Sequence, residues 1–274
     1  MSAPTGMRSG AGFRSCVLFA LDAAGLPAAT SETVPYEGVK LSGAKVLTVT
    51  DPEPRKIFHT GDDSIVAKDM LPPLEGMSAE LHAGKLNDVV DALLSGQLQF
   101  SVGDIAMFGG GTDKRGFETQ VGLLGYQHAP DADVDAGSAG TGGWNGIVFP
   151  KAYIFQRETG FNDQPADRVY SVMPMTVAKH LWGPAFTTIV EGFLSSQYIR
   201  TYSVGRPKII AFKAAHSNPA TVYAWPVGAV PLSITKVKVY VIGVIATPTI
   251  SLTTGITFSP APAIDANITA VYEY

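Results

Sequence analysis

The stretch from Gly38 to Gly96 constrains the fold of this 274-residue chain more than any other part, because it sets several alternating strand patterns and one short amphipathic segment side by side. Val39, Leu41, Leu47 and Val49 share one face and Lys40, Ser42, Thr48 and Thr50 the other, with Gly43 placed as a bulge. Asp51-Pro52-Glu53-Pro54 ends that run, since neither proline can donate to a ladder. Ile57-Phe58 and Ile65-Val66 flank Gly61-Asp62-Asp63, the pattern of a hairpin, and Met77, Ala79, Leu81 and Ala83 alternate with Ser78, Glu80 and His82 as a further strand. Leu86, Val89, Val90, Leu93 and Leu94 then form one helical stripe, with Asn87 as cap and Gly96 as stop, and predict a helix over about 86–95. At about ten residues it cannot persist alone in water, so it must dock on a sheet.

Strand patterns continue beyond it. Leu98, Phe100 and Val102 alternate with Gln97, Gln99 and Ser101, and strand-like runs follow at Glu118 to His128, Ile147 to Gln156, Arg168 to Met175, Ile209 to Phe212, Val237 to Ile242 and Ile268 to Tyr274. Between them lie proline-rich turns and a loop from Pro130 to Gly143, long and with little apolar content. Many short strands with Gly and Pro punctuation and one clear helix predict a mainly β fold, a sandwich or barrel with one short flanking helix and long loops. Residues 1–15, poor in apolar content, are expected to form a flexible arm. Cys16 to Leu21 is a first strand, Asp22 to Glu37 a Pro/Ala/Thr connection, and 16–274 one β domain, with 205–262 a candidate peripheral extension.

Composition narrows the class of function. Only 16% of residues are charged, against about 25% in an ordinary globular chain, while 46% are hydrophobic. A surface so weakly charged suits a subunit covered by neighbours. Twenty basic residues against 24 acidic give a net charge of -4, and no Lys/Arg run is present to neutralise phosphates, which argues against tight nucleic-acid binding. Cys16 is the only cysteine, which rules out an intrachain disulfide and a cysteine-based zinc site and reads as a buried core thiol. Asp22 interrupts the first apolar run after six residues, short of a signal-peptide core, and Val239 to Ala246 is too short to cross a membrane as a helix. The expectation is a chain that is cytosolic at synthesis, soluble and reduced.

The candidate chemistry is thin. Gly109-Gly-Gly-Thr-Asp-Lys-Arg-Gly116 lacks the spacing and the following helix of a phosphate loop. Asp131, Asp133 and Asp135 alternate as calcium ligands do, yet the sixth and twelfth positions hold Ala136 and Gly142 where a hand-type loop needs Gly and Glu, so they read as a solvated acidic tip. His59, His82, His128, His180 and His216 show no paired helical spacing. Trp144, Trp182 and Trp225 sit beside Gly or Pro, as a sugar platform or as anchors at strand ends. Asn267-Ile268-Thr269 matches a glycosylation acceptor but reads as strand. No catalytic, cofactor-binding or metal site is assigned, no cofactor is expected, and the chain is not read as an enzyme.

The run Tyr36-Glu-Gly-Val-Lys-Leu-Ser-Gly-Ala-Lys-Val-Leu-Thr-Val-Thr-Asp-Pro-Glu-Pro-Arg55 resembles the major tail, or tail tube, proteins of long flexible-tailed bacteriophages. So do His59-Thr-Gly-Asp-Asp63, Leu71-Pro-Pro73 and Leu86 to Gly96, and more weakly Asp167-Arg-Val-Tyr170, Leu181-Trp-Gly183 and Ala270-Val-Tyr-Glu-Tyr274. That resemblance implies a β-sandwich or barrel flanked by one helix, joined into hexameric rings that stack into a tube. It also implies a virion location after assembly in the host cytoplasm. The implied partners are copies of itself, the tape measure protein, and tail terminator or baseplate proteins. DNA passes without specific binding, and there is no membrane insertion. An adhesion or carbohydrate-binding β-sandwich is the competing class and would need an exposed aromatic cleft. A depolymerase would need two carboxylates converging in a groove.

Overall fold

The computed structural model describes residues 13–41, 43–50, 55–61, 64–71, 78–84, 90, 93–94, 98–102, 105–109, 120–129, 143–156, 168–175, 199–203 and 205–274. The fold is mainly β and antiparallel, with almost no helix among these residues. The largest sheet uses β1 (Phe13–Ala20), β2 (Val39–Leu41), β3 (Ala44–Thr50), β6 (Ser78–Ala83), β9 (Gln120–Ala129), β10 (Gly143–Gln156) and β11 (Arg168–Pro174) in the order β2-β1-β9-β10-β11-β6-β3, with β12 (Ile199–Ser203) added on the first half of β10.

The two ends of that order, β2 and β3, are consecutive in sequence. Gly43, at φ 76, turns the chain between them, so one run from Val39 to Thr50 pairs with β1 through its first half and with β6 through its second. The sheet thereby closes on itself. Closure removes the open edges that a flat sheet would leave at β2 and β3. Its interior holds Cys16, Leu18, Leu41, Leu81, Leu123, Phe149, Ile154 and Tyr170, all buried, with Val39, Leu47 and Val49 packed against them as their alternation predicts. Val90 and Leu94 are buried in the same cluster, in line with the docking expected of the helical stripe over about 86–95. β1 begins at Phe13 rather than Cys16, so the last three residues of the expected arm are strand. A Cβ on Gly125 would sit 3.0 Å from the Phe13 ring, which therefore packs down onto β9.

A second sheet, β13 (Pro207–Lys213), β19 (Asn267–Glu273), β15 (Lys238–Val241) and β16 (Val244–Ala246), runs in the order β13-β19-β15-β16. Its one face packs on the outer face of the closed sheet, where Phe19, Leu124, Tyr126 and Val148 meet Ile209, Tyr240 and Val271. Its other face, carrying Ile210, Phe212, Val239, Ile268 and Tyr272, is covered by a three-stranded sheet of β14 (Val222–Tyr223), β18 (Gly255–Thr257) and β17 (Thr249–Ser251). β19 is thus buried along its whole length, and its two polar side chains at the start, Asn267 and Thr269, are bonded to each other. Two hairpins stand apart from these sheets, β4 (Arg55–Gly61) with β5 (Ser64–Leu71), and β7 (Leu98–Val102) with β8 (Ile105–Gly109).

The connection from Asp22 to Glu37 is a strap between the two large sheets. It starts at a turn in which the Asp22 carboxylate accepts from the Ala24 and Leu26 amides, both at 2.9 Å. The Asn267 amide nitrogen donates to Pro27 O at 2.6 Å, and Tyr36 and Ala211 exchange both backbone hydrogen bonds at 2.8 and 2.9 Å. The Tyr36 hydroxyl accepts from the Ala20 amide at 2.8 Å, tying the strap back to β1, and Glu37 pairs with Lys208 on β13.

The turn joining β15 to β16 is Ile242-Gly243, both at positive φ, 49° and 72°. Two-residue turns of this kind favour Asn-Gly, and a β-branched residue in the left-handed region costs about 1–2 kcal/mol. Because the Ile242 side chain is half exposed, little packing offsets that cost. Ile242→Asn is expected to raise stability by about 1 kcal/mol, read as a higher urea midpoint at unchanged slope; an unchanged or lower midpoint would show that Ile242 makes a contact worth more than its strain.

Candidate assembly surface

Among the described residues two places could engage something else: a polar cleft where the strap meets the C-terminal sheets, and a set of open edges and exposed aliphatic side chains. The cleft, of about 400 Å³, is lined by Thr30, Ser31, Glu32, Lys213, His216 and Asp265 among others. Glu32 organises it. Its carboxylate accepts from the Ala220 amide at 2.5 Å, the Ala215 amide at 3.1 Å and the Tyr223 hydroxyl at 3.3 Å, fixing the loop between β13 and β14. On the other wall the His216 ring nitrogen Nδ1 lies 2.5 Å from Asp265 Oδ2, with Lys213 Nζ 3.7 Å from the second oxygen. Opposite charges are internally matched there, and His216 is largely exposed, which describes a clamp on two loops more than a reaction centre.

Hydrogen bonding from Ala220, above all, holds the Glu32 carboxyl below its ordinary value of 4.5, against the opposing effect of partial burial. A depressed folded-state value means that the group stabilises the fold at pH above its unfolded value and loses that contribution as pH falls through the folded one. Glu32→Gln, which cannot be protonated, is therefore expected to flatten the fall in stability below about pH 4.5 while lowering stability at neutral pH; identical acid limbs for the two proteins would refute the clamp.

The residues singled out in the sequence disperse. Asp131, Asp133, Asp135, His180 and Trp182 lie outside the described residues, as do positions 110–116 of the glycine-rich segment and the tip of the 130–143 loop. His59 is on β4; His82, on β6, has Nε2 3.9 Å from Glu80; His128 stacks edge-on against Trp144 at 5.1 Å. Trp144 also packs against Tyr126 and under the Arg206 guanidinium, 5.1 Å from its ring. The Trp225 indole donates to Ser251 O at 2.7 Å and packs on Tyr272. Both tryptophans are thus anchors between elements, not a shared platform. Asn267 and Thr269 of the glycosylation-like triplet are buried, their side chains bonded to each other at 3.0 Å. Burial also raises the Cys16 thiol pKa strongly. Among the described residues no group of three or more His, Cys, Asp or Glu could hold a metal ion, and no helix is long and apolar enough to cross a membrane.

The open surface is the more distinctive feature. Among the described residues, neither β4–β5 nor β7–β8 pairs with a third strand, and β16 is paired on one side only. Residues 217–264 carry only two charges, Lys236 and Lys238. The same stretch contains ten of the thirteen large hydrophobic side chains exposed among the described residues, including Val227, Leu232, Val244 and Ile245, so its surface is aliphatic without a charged rim. No property of a single short window signals this; it emerges only when the uncharged sequence is placed on the outside of the fold. No protein-family model matches the chain, and no curated protein matches it.

Proposed function

We propose that this protein is a structural subunit that assembles with copies of itself into stacked hexameric rings, forming the tail tube of a long flexible-tailed bacteriophage through which the genome passes. The observation that carries the reading is the pair of hairpins that, among the described residues, have no third strand. A two-stranded hairpin is marginally stable in water and offers two rows of unpaired backbone groups, so it gains most when a neighbouring subunit supplies the next strand. The resemblance of the Tyr36–Arg55 and Leu86–Gly96 segments to tail tube proteins supplies the particular assembly. The low charge of the chain and its net charge of -4 suit a subunit that is covered by neighbours and lets DNA slide past without gripping it. Tape measure, terminator and baseplate proteins are the further partners this role requires, and the role itself calls for no enzymatic chemistry.

Sedimentation of the purified full-length protein across a wide concentration range tests self-assembly. The expected result is a concentration-dependent shift from subunit to ring-sized and larger species. One species of subunit mass at every concentration would overturn the proposal.

A further inference from the structure

The outer strand of the β15–β16 hairpin is short, at three residues, but among the described residues it has none of the other features that protect a sheet edge. Natural edges are blunted by short length, charges, proline, bulges or a covering element. No charged residue occurs between Lys238 and Asp265, and β16 itself is Val244-Ile245-Ala246. Val244, opposite Val241, and Ile245, opposite Tyr240, point to opposite faces of the sheet, and they remain 59% and 50% exposed. Both faces of the same edge are open, which is the environment left when the next strand of a sheet is missing.

The hydrogen-bond pattern says how that strand would sit. The Ile242 amide donates to Asn267 O on the β19 side at 2.8 Å. Antiparallel alternation then turns Val241 and Val239 toward their partners Val244 and Ala246. Ile245 is left as the β16 residue whose amide and carbonyl face the open edge.

We propose that β16 pairs antiparallel with β16 of a second copy of this chain, about a two-fold axis at Ile245. In that register Ile245 faces its own counterpart and exchanges both backbone hydrogen bonds with it, Val244 faces the partner's Ala246, and Gly243 faces the partner's Thr247. The four-stranded sheet becomes one sheet of twice the width across the two copies. A two-fold contact demands self-complementarity, since a charge at the axis would oppose its own copy. The uncharged run from Val239 to Ile264 meets that demand, whereas it offers nothing to a charged partner. The contact goes beyond the ring assembly and does not depend on it.

Cross-linking of the full chain tests it. Cys16 is fully buried, so Ile245→Cys adds the one reactive thiol. Directly opposed antiparallel residues lie about 4.5–5.5 Å apart at Cα, within the range of about 4.4–6.8 Å that a disulfide spans. Mild oxidation of Ile245→Cys is expected to give a covalent dimer at least tenfold more efficiently than oxidation of Val244→Cys, whose thiol faces an alanine. Ile245→Lys and Ile245→Glu should each abolish the corresponding non-covalent dimer in sedimentation, and their equimolar mixture should restore it. Equal cross-linking at 244 and 245, or failure of the mixture to associate, would overturn the proposal. Because the cross-link is read on subunits whether or not rings form, absence of rings would count against the tail-tube reading alone.

Discussion

Gly255→Ala is expected to be the most damaging small substitution in the C-terminal sheets, lowering stability by about 2–6 kcal/mol. Gly255 opens β18 at φ +118, a conformation that L residues rarely adopt, and holding a non-glycine residue in a sparsely populated region costs about 1–3 kcal/mol. Space adds a second cost. A Cβ there would lie 2.1 Å from Tyr223 O and 2.9 Å from the Ala224 Cα, so it meets backbone of the neighbouring strand and cannot be relieved by a rotamer change. Overpacking of this kind costs about 1–3 kcal/mol more. Against a total stability of about 5–15 kcal/mol the variant would be near the limit of folding. Gly228→Ala separates the two costs, because Gly228 has φ +75 with nothing within 4 Å of the place a methyl group would take and should lose only the conformational part, about 1 kcal/mol. Equilibrium urea unfolding of both variants is the measurement. A Gly255→Ala midpoint no lower than that of Gly228→Ala would show that β14 is not seated against β18 as described.

The second large effect lies inside the closed sheet. Phe149 is fully buried among Cys16, Leu18, Leu123 and Ile154, just before the irregularity in β10 where its pairing with β9 slips between Phe149 and Ala152. Phe149→Ala removes a ring from an interior whose walls are held by a continuous ladder and cannot collapse freely, so the loss should reach about 3–5 kcal/mol. Met173, on neighbouring β11 and 50% exposed, is the control, with Met173→Ala expected to stay within about 0.5 kcal/mol. Unfolding followed by circular dichroism distinguishes them. Near-equal midpoints would mean that the sheet does not close around Phe149.

The two halves of the chain differ in how plainly their sequences announce them. The alternation of Val39, Leu41, Leu47 and Val49 reports a face that is indeed turned to the core, with Leu41 buried and the other three partly buried against it, because each strand there has one wall inside and one outside. The closure does not show, since it depends on Gly43 passing one run of chain between two partners far apart in sequence, β1 and β6. The strap is equally silent. Part of its contacts use backbone groups of Pro27, Ser31 and Tyr36, and its side-chain contacts through Asp22, Glu32, Tyr36 and Glu37 are isolated polar groups with no periodic pattern. In the C-terminal part β14, β16, β17 and β18 are two or three residues long, and the turn that would flag the β15–β16 hairpin carries isoleucine where asparagine is customary. The candidate site has the same character. Sequence motifs mark charged and nucleophilic clusters, whereas this surface is defined by edges unpaired among the described residues and by the lack of charge over a long stretch.

Electron microscopy of the negatively stained, purified full-length protein shows whether the subunits build a tube. The expected field shows rings of six subunits and stacks of such rings forming tubes with an open lumen. A field of discrete particles of single-subunit size at high protein concentration would contradict it.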